Sequence, residues 1–569
     1  MRRLRVPVAV VPLAGFIALA CLLPLGILLV YSFWRLDGFA LARDWNLDNY
    51  GTSLFDGYYV RLYARSLGIG AAVAVVTVAL AYPFAYAARF RFPRRRNALL
   101  FAVLLSMFAS YLIRVYAFQS ILGSRGVVNW ALLELGVIGH PLDFLLFNKF
   151  AVLVTLTNVF LPFVVLPIWA AMQNVDDATV EAARDLGARP FGVFARVIVP
   201  ATRTAAFAGA GFVFVLASGD YVTPTLVGGP GGLMIGRPIA NAFGLTNDYP
   251  LGSALAFTLL LLFGLSLLVL PRLLALAGRP LARAWWRLLP HLPRRRSGRP
   301  LPGARAWAHA WVAGTLVFLF SPLLIVVVLS FTTREVPAFP MHGVTLRWYE
   351  HVVGDDGFRS ALRNSVVLAA VCGVVASALG AAAAIGLTRT RFALRGVVGV
   401  MLLLPLALPG LITGVAMLTL YTWAGIPLSL ETVAVGHLVF TTPFVVLVMT
   451  ARLRDIDPLL EEAGRDLGAS PLGVFRRVTL PLILPALGGA ALVVAALSLD
   501  EFVITNFVSG STVTVPLFVW AKLRTGVTPD VNAVSTLLLL TLALLVSGFY
   551  LAGGSTDRRL ARRSSERKR

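Results

Sequence analysis

Long apolar segments alternate with short polar loops along the 569 residues of the chain. A helix needs about 20 mostly apolar residues to cross the hydrocarbon core of a bilayer. In lipid every backbone polar group has to be paired within the protein, which makes helices the default. The pattern predicts an all-α polytopic membrane protein with twelve transmembrane helices, six in each half. They are expected at about 8–33, 66–88, 98–121, 150–172, 204–220 and 252–271, and at about 308–331, 364–388, 397–421, 431–451, 483–499 and 532–552.

These spans divide the chain into four parts. The predicted domains are a first half at 1–276, a basic, proline-rich cytoplasmic linker at 277–307, a second half at 308–554 and a basic tail at 555–569. The first apolar run continues to about Trp34 without a small-residue cleavage site. This favours a retained first helix over a signal peptide.

A charged stretch stands out from the apolar background because it occurs twice. Val180–Pro200 reads V-E-A-A-R-D-L-G-A-R-P-F-G-V-F-A-R-V-I-V-P, and Glu461–Pro481 reads E-E-A-G-R-D-L-G-A-S-P-L-G-V-F-R-R-V-T-L-P. Fourteen of the 20 positions aligned from Glu181 and Glu462 are identical. A repeat of this size decides the architecture. It indicates one protein built from two related halves.

Each copy of the stretch predicts a helix, a glycine bend and a second helix. The residues from Glu181 to Leu186 favour helix, Gly187 ends it, and Pro190 can open the next helix from its first turn. The two copies lie in predicted loops at 173–203 and 452–482. One copy alone could be an ordinary solvated loop. Such a loop has no physical reason to keep the same side chains twice, so the doubling favours a pair of docking surfaces.

The net charge of +23 comes from arginines that cluster between the apolar spans, which argues against nucleic-acid binding. Loops rich in Lys and Arg mark the cytoplasmic side of a membrane. With twelve spans the loop after the second span, both repeat loops, the linker and the tail fall on one side. This predicts a multi-pass membrane protein with both termini and both repeat loops in the cytoplasm.

The sequence offers no chemistry of its own. It lacks the G-x-x-x-x-G-K-[ST] loop that cradles phosphates and the H-E-x-x-H zinc motif. Cys21 and Cys372 lie inside predicted spans, far from any paired spacing. We therefore expect no catalytic residues, no metal and no cofactor. ATP hydrolysis, if it drives this protein, is expected in a partner.

Three acidic residues lie at the ends of apolar spans. Asp220 follows the fifth span, and Asp500 and Glu501 follow the eleventh. A charge at membrane depth is costly, so such acids tend to face a cavity or a partner. Asp220 and Glu501 are equivalent in the repeat, and a pseudo-twofold axis would place them across a central path that suits a cationic substrate. Alternatively, they lie at the water interface and merely end their helices.

The pattern E-A-A-x-x-x-G resembles the cytoplasmic coupling motif of ABC importer permeases, with Gly464 in place of the third-position alanine in the second copy. The resemblance implies a type I permease of the bacterial plasma (inner) membrane, in which two ATPase subunits each accept one coupling helix. Glutamates would pair with basic residues of the ATPases, alanines would allow close approach, and glycines would set the bend. The matching residues are Glu181, Ala182, Ala183 and Gly187, and Glu462, Ala463, Gly464 and Gly468.

Two further sequence runs resemble a family whose substrate class is known. The run Asp220-Tyr221-Val222-Thr223-Pro224 resembles the first permease subunit of spermidine/putrescine importers, and Asp500-Glu501-Phe502-Val503-Ile504-Thr505 resembles the second. Those subunits are usually separate, whereas here they would be fused. The resemblance implies an extracytoplasmic binding protein that delivers a polyamine, with Asp220, Asp500 and Glu501 as candidates to meet its charge.

Two alternatives stay open at this stage. Fused permeases also resemble iron(III) and thiamine importers. An ion-coupled secondary transporter would use repeats and intramembrane acids too, but it would need no docking helix and no ATP.

Overall fold

The computed structural model describes residues 7–38, 40–107, 109–188, 190–288, 304–341, 343–526, 528–541 and 544. Within these ranges helices dominate. The same ranges also contain an antiparallel β-hairpin, in which β1 (Arg35–Asp37) pairs with β2 (Ala40–Ala42). The predicted tail at 555–569 lies outside the described residues.

The helices of the first half are numbered in chain order. They are α1 (Val11–Tyr31), α2 (Asp48–Phe55), α3 (Gly57–Arg91), α4 (Arg96–Met107), α5 (Tyr111–Leu122), α6 (Val127–Glu134), α7 (Lys149–Gln173), α8 (Asp177–Asp185), α9 (Phe191–Ser218), α10 (Gly236–Gly244) and α11 (Tyr249–Leu288).

The numbering continues through the second half. Its helices are α12 (Ala304–Leu329), α13 (Arg347–Gly354), α14 (Asp356–Arg389), α15 (Arg395–Ala407), α16 (Gly410–Ala424), α17 (Leu430–Asp455), α18 (Leu459–Asp466), α19 (Pro471–Asp500), α20 (Thr505–Val508), α21 (Val515–Thr525) and α22 (529–541).

Of the described helices, nine are long and apolar enough to cross a membrane: α1, α3, α7, α9, α11, α12, α14, α17 and α19. The spans expected at 98–121 and 397–421 are each broken into two helices, α4 with α5 and α15 with α16. The second break bends by 102° at Leu408-Pro409, where Leu408 has the extended backbone that a following proline favours. The last expected span, 532–552, begins in α22, and its remainder lies outside the described residues.

Three boundaries differ from expectation. The helices α9 and α19 begin inside the copied stretches rather than at 204 and 483, because a π-helical turn before Pro200 or Pro481 lets each helix continue past the proline. Helix α11 runs to Leu288, so the first part of the predicted linker is helical, and 289–303 lies outside the described residues.

Two compact units divide the chain, and they do not follow the halves of the sequence. The first-half unit contains 29–107 and 146–321. The second-half unit contains 322–569 together with 1–28 and 108–145. Most of α1 therefore packs with helices of the second half, where Phe16 lies against the core formed by α14, α17 and α19.

Several polar side chains inside the spans donate to backbone carbonyls of their own helix or of a neighbouring one. The hydroxyl of Thr77 donates to the carbonyl of Val73 at 2.8 Å, and the hydroxyl of Thr442 donates to the carbonyl of Leu438 at 2.6 Å. In the first-half unit, the Asn158 amide reaches the carbonyl of Phe318. Such bonds satisfy groups that lipid could not.

Candidate functional site

Each copied stretch forms a short helix, a left-handed glycine turn and a long helix, as predicted. In the first copy α8 ends at Gly187, whose φ is +82°. The N–H of Gly187 donates to the carbonyl of Arg184 at 2.8 Å, and the N–H of Ala188 donates to the carbonyl of Ala183 at 2.9 Å. These two bonds define a Schellman cap.

The second copy repeats this cap. Gly468 also has a φ of +82°, and its N–H donates to the carbonyl of Arg465 at 2.8 Å. The N–H of Ala469 donates to the carbonyl of Gly464 at 3.1 Å. A residue with a side chain at Gly187 or Gly468 would be strained in this backbone conformation, so the glycine fixes the angle between the two helices.

A π-helical turn follows at the same place in each copy, Phe194–Ile198 in the first and Phe475–Thr479 in the second. Each turn comes just before a proline, Pro200 or Pro481, that has no N–H to donate. The turn is thus a local adjustment of the helix to the proline.

The predicted coupling residues lie together on the exposed face of each short helix. Glu181 and Ala182 are exposed in α8, and Glu462 and Ala463 are exposed in α18, whereas Ala183 and Gly464 are half-buried. A Cβ at Gly464 would lie 3.3 Å from a methyl group of Val474, and the first copy has alanine beside the equivalent Val193, so nothing in the structure explains this departure.

Sequence reasoning missed the apolar part of this surface. Leu186 is 90% exposed and Leu467 is 89% exposed, and Phe191 and Leu472 are more than half exposed. The sequence did contain a sign of this surface, because a leucine precedes the glycine in both copies. Large apolar side chains held this far into solvent are typical of a protein-binding surface.

The two copies are attached to their own units by different ion pairs. At the end of α3, the Arg89 guanidinium lies 3.0 Å from Asp177, whose side chain is 64% exposed. At the end of α14, Arg389 lies 3.2 Å from Glu461, whose side chain is 8% exposed. Glu461 also accepts from the Thr479 hydroxyl at 3.1 Å. The first copy has buried Val180 at the position of Glu461.

All three acids named from the sequence accept hydrogen bonds from backbone N–H groups; Asp220 is buried, and Asp500 and Glu501 are half-buried. Asp220 accepts from the N–H groups of Val222 and Thr223 at 3.1 and 3.2 Å. Its repeat equivalent, Glu501, accepts from the N–H groups of Ile504 and Thr505 at 3.0 Å each. Both acids therefore hold the start of the segment that follows them. Whether they face each other stays a prediction.

Asp500 has a different partner. Its two carboxylate oxygens accept from the N–H of Tyr111 at 3.0 and 2.9 Å, at the start of α5. Arg114, only 3% exposed, lies one turn further along α5 and interacts electrostatically with Asp500. Asp500 thus joins α19 to a segment that comes from the first half of the sequence.

His437 lies beside this acidic pair. It is 1% exposed, and its two ring nitrogens lie 2.8 Å from the hydroxyls of Ser498 and Thr505. Its Nε2 lies 3.7 Å from Glu501. The histidine connects α17 to both ends of the turn after α19.

Comparison with known proteins finds one family twice in the chain. Residues 81–281 and 376–562 match the family described as "Binding-protein-dependent transport system inner membrane component". The doubled match agrees with the internal repeat.

Three characterised relatives are permease proteins. The putrescine transport system permease protein PotI of Escherichia coli (strain K12) is 36% identical over 249 residues, which are 42% of this chain and 88% of the relative. The spermidine/putrescine transport system permease protein PotC of the same strain is 31% identical, over 42% of this chain and 91% of the relative. The PotB protein of Haemophilus influenzae (strain ATCC 51907 / DSM 11121 / KW20 / Rd), from the same kind of system, is 32% identical, over 45% of this chain and 90% of the relative.

Proposed function

The chain belongs to the family of binding-protein-dependent transport system inner membrane components, and we propose that it is a two-half permease that imports a polyamine. It is a multi-pass inner-membrane protein and the permease of an ABC importer. The observation that carries the polyamine proposal is that three relatives named for putrescine or spermidine/putrescine transport each match almost over their full length.

The copied stretches support a mechanical role. We infer that two ATPase subunits dock on this chain, one on α8 with Gly187 and one on α18 with Gly468. Glu181 and Glu462 would pair with basic residues of the ATPases, and exposed Leu186 and Leu467 would enter apolar clefts. Closure of the ATPases on ATP would then move both short helices and rock the two halves.

Energy transfer needs stiff connections. Each short helix continues through its capped glycine turn into a long helix, α9 or α19. Each is also bonded to the end of another long helix, α3 through Arg89 or α14 through Arg389. A displacement of the short helix is thereby passed to two long helices of its own unit.

The positions of the three acids support a role at the path. Asp220 and Glu501 hold the start of the segments after α9 and α19, so they would shape the wall of a path between spans. We propose that Asp220, Asp500 and Glu501 meet the charge of the polyamine.

The orientation follows from the loops rich in arginine. We propose that both termini and both copied stretches lie in the cytoplasm, where ATP is available, and that a soluble binding protein delivers the substrate from the other side. ATP hydrolysis is assigned to the partner subunits.

The proposal is tested by ATP hydrolysis in a reconstituted complex. The purified chain is combined in nanodiscs with its candidate ATPase and binding protein, with spermidine, putrescine, iron(III) or thiamine added. We expect a polyamine to raise the hydrolysis rate several-fold above that of the ATPase alone. Stimulation by iron(III) or thiamine only would overturn the polyamine assignment, and an ATPase that does not bind the chain would overturn the coupling proposal.

A further inference from the structure

The two halves share a second feature, a hydrogen bond between a serine of the long helix and a loop. It lies near the N-terminal ends of α3 and α14, whereas the copied stretches contact the C-terminal ends of these helices. The hydroxyl of Ser66 in α3 accepts from the N–H of Ile235, which precedes α10, at 2.9 Å. The hydroxyl of Ser365 in α14 accepts from the N–H of Val515, which opens α21, also at 2.9 Å. Each half thus ties the loop before its next helix to the long helix by the same bond.

The residue next to each serine differs between the halves. The guanidinium of Arg65 donates to the carbonyls of Leu233 and Pro230, at 3.1 and 3.5 Å. At the equivalent position the amide of Asn364 donates to the carbonyl of Val513 at 2.9 Å. Asparagine is too short to occupy the space that an arginine fills.

A cavity of about 360 Å³ lies where Asn364 stands. Its lining is rich in hydroxyl and amide groups and includes Ser360, Asn364, Leu430, Ser511, Thr512 and Phe518. The loop carbonyl that Asn364 engages forms part of the same wall.

Basic residues are distributed differently around this cavity than in the first half, since Arg359 and Arg363 of α14 stand where the first half has Val60 and Ala64. Ser360 stands where the first half has Arg61, Asn364 stands where it has Arg65, and Leu430 begins α17 where Lys149 begins α7. A cation in this cavity would not be repelled by these three charges. The loop whose carbonyls accept from Arg65 in the first half has an equivalent in the second half, the loop that contains Val513.

The charges at the rim are mixed. Asp355 lies 3.7 Å from Lys522, and Asp356 is paired with Arg359 at 3.2 Å. Arg363 and Glu431 are both exposed, next to Asn364 and Leu430 in the sequence. Lys522 lies over the ring of Phe518, at 5.3 Å from its centre, so this lining residue already has one cation of the protein at its ring.

We propose that this cavity binds an organic cation that carries several N–H donors, and specifically a guanidinium group. A guanidinium is planar and carries five N–H donors, and the first half shows how this loop receives one. The cation could be free in solution or be the arginine side chain of a soluble partner. This inference goes beyond the proposed function, since polyamine import does not require the cavity.

Calorimetric titration of the purified full-length chain in nanodiscs tests the proposal. The probe is methylguanidinium below denaturing concentration, and tetramethylammonium supplies the same charge without N–H donors. We expect methylguanidinium to bind at one site per chain and tetramethylammonium not to bind. Asn364→Arg should weaken methylguanidinium binding about tenfold or more, because the introduced side chain fills the cavity as Arg65 does in the first half.

Two further variants make the result decisive. Ser360→Arg should also weaken binding, because it places an arginine, as at Arg61 of the first half, one helical turn from Asn364 on the same face of α14. Arg363→Gln is the matched control on the same helix and should bind as the parent chain does. Equal binding by the parent and both arginine variants, or equal binding of the two cations, would overturn the proposal.

A competition experiment between methylguanidinium and the soluble binding protein identifies the source of the cation. If the soluble binding protein displaces methylguanidinium, the cavity receives a side chain of that protein; if both bind together, the cavity serves a free cation. Thermal unfolding of each variant confirms that it is folded. A complex without polyamine-stimulated ATP hydrolysis would leave this binding test intact, so the two proposals fail separately.

Discussion

The two copied stretches present nearly the same surface but are held in place by different contacts. Leu186 and Leu467 are exposed to within one percentage point of each other, and the glycines that follow them have the same φ. The first stretch is attached through an exposed carboxylate, Asp177, and the second through the buried carboxylate of Glu461. The repeated residues are the ones a partner would contact, while the attachment of each helix varies with its own unit.

The difference has an energetic meaning. An exposed ion pair contributes about 0–1 kcal/mol, whereas breaking a buried pair by removing one partner costs about 3–5 kcal/mol. We therefore expect the second stretch to depend on its ion pair and the first to depend mainly on apolar packing around Val180.

The largest expected effect is that of Glu461→Val, which puts the first stretch's own residue into the second. It leaves Arg389 without its buried carboxylate, and we expect a loss of about 3 kcal/mol, near the lower end for buried pairs because Arg389 retains the Ile456 carbonyl. A lower apparent midpoint of thermal unfolding is the readout. The double variant with Arg389→Met should regain most of the loss; an unchanged midpoint in the single variant would remove the contrast between the stretches.

The next effect concerns the shared surface. Leu186→Ala or Leu467→Ala should leave the unfolding midpoint nearly unchanged, because both side chains are exposed. Each should weaken ATPase binding by about 2 kcal/mol, which is about 30-fold, as for a central apolar anchor. Surface plasmon resonance with the ATPase measures this. A loss at one leucine alone would show that the two surfaces are not equivalent.

A smaller and equal effect is expected at the two bends. Gly187→Ala and Gly468→Ala place a side chain at a φ of +82°, with nothing within 4 Å of the added carbon. The cost is then backbone strain of about 1–2 kcal/mol, seen as equal decreases in unfolding midpoint. Unequal decreases would mean that the two caps are strained differently by their surroundings.

The smallest effect is that of Asp177→Ala. Because the Asp177 carboxylate is mostly exposed, its removal should cost less than about 1 kcal/mol. Raising the salt concentration should reduce the difference from the parent chain further. A loss as large as that of Glu461→Val would contradict the distinction between the two attachments.

Local features of the sequence predicted local structure well. Glycine and proline signals placed the helix, bend and helix of each copied stretch, and the repeat revealed the two halves. The broken spans at 98–121 and 397–421 were missed because hydropathy reports apolarity and not backbone continuity. The Leu408-Pro409 pair was a readable sign of the second break.

Long-range pairings were beyond the sequence. Glu461 and Arg389 are 72 positions apart, and Asp500 and Tyr111 are 389 apart. No periodicity links such residues. The packing of α1 was equally unpredictable, because most of this helix packs with the second half although it is the first helix of the first half. The acids at 220, 500 and 501 were found because a charge in an apolar chain is conspicuous, but their backbone partners were not.

We predict that one chain carries both docking stretches, and a count of the subunits in the complex tests this. Native mass spectrometry of the complex purified with its candidate ATPase gives the stoichiometry. We predict one copy of this chain with two ATPase subunits, falling to one ATPase when Leu186 and Glu181 are both replaced by Ala. A complex with two copies of this chain for every two ATPases, or a chain that binds no ATPase, would contradict it.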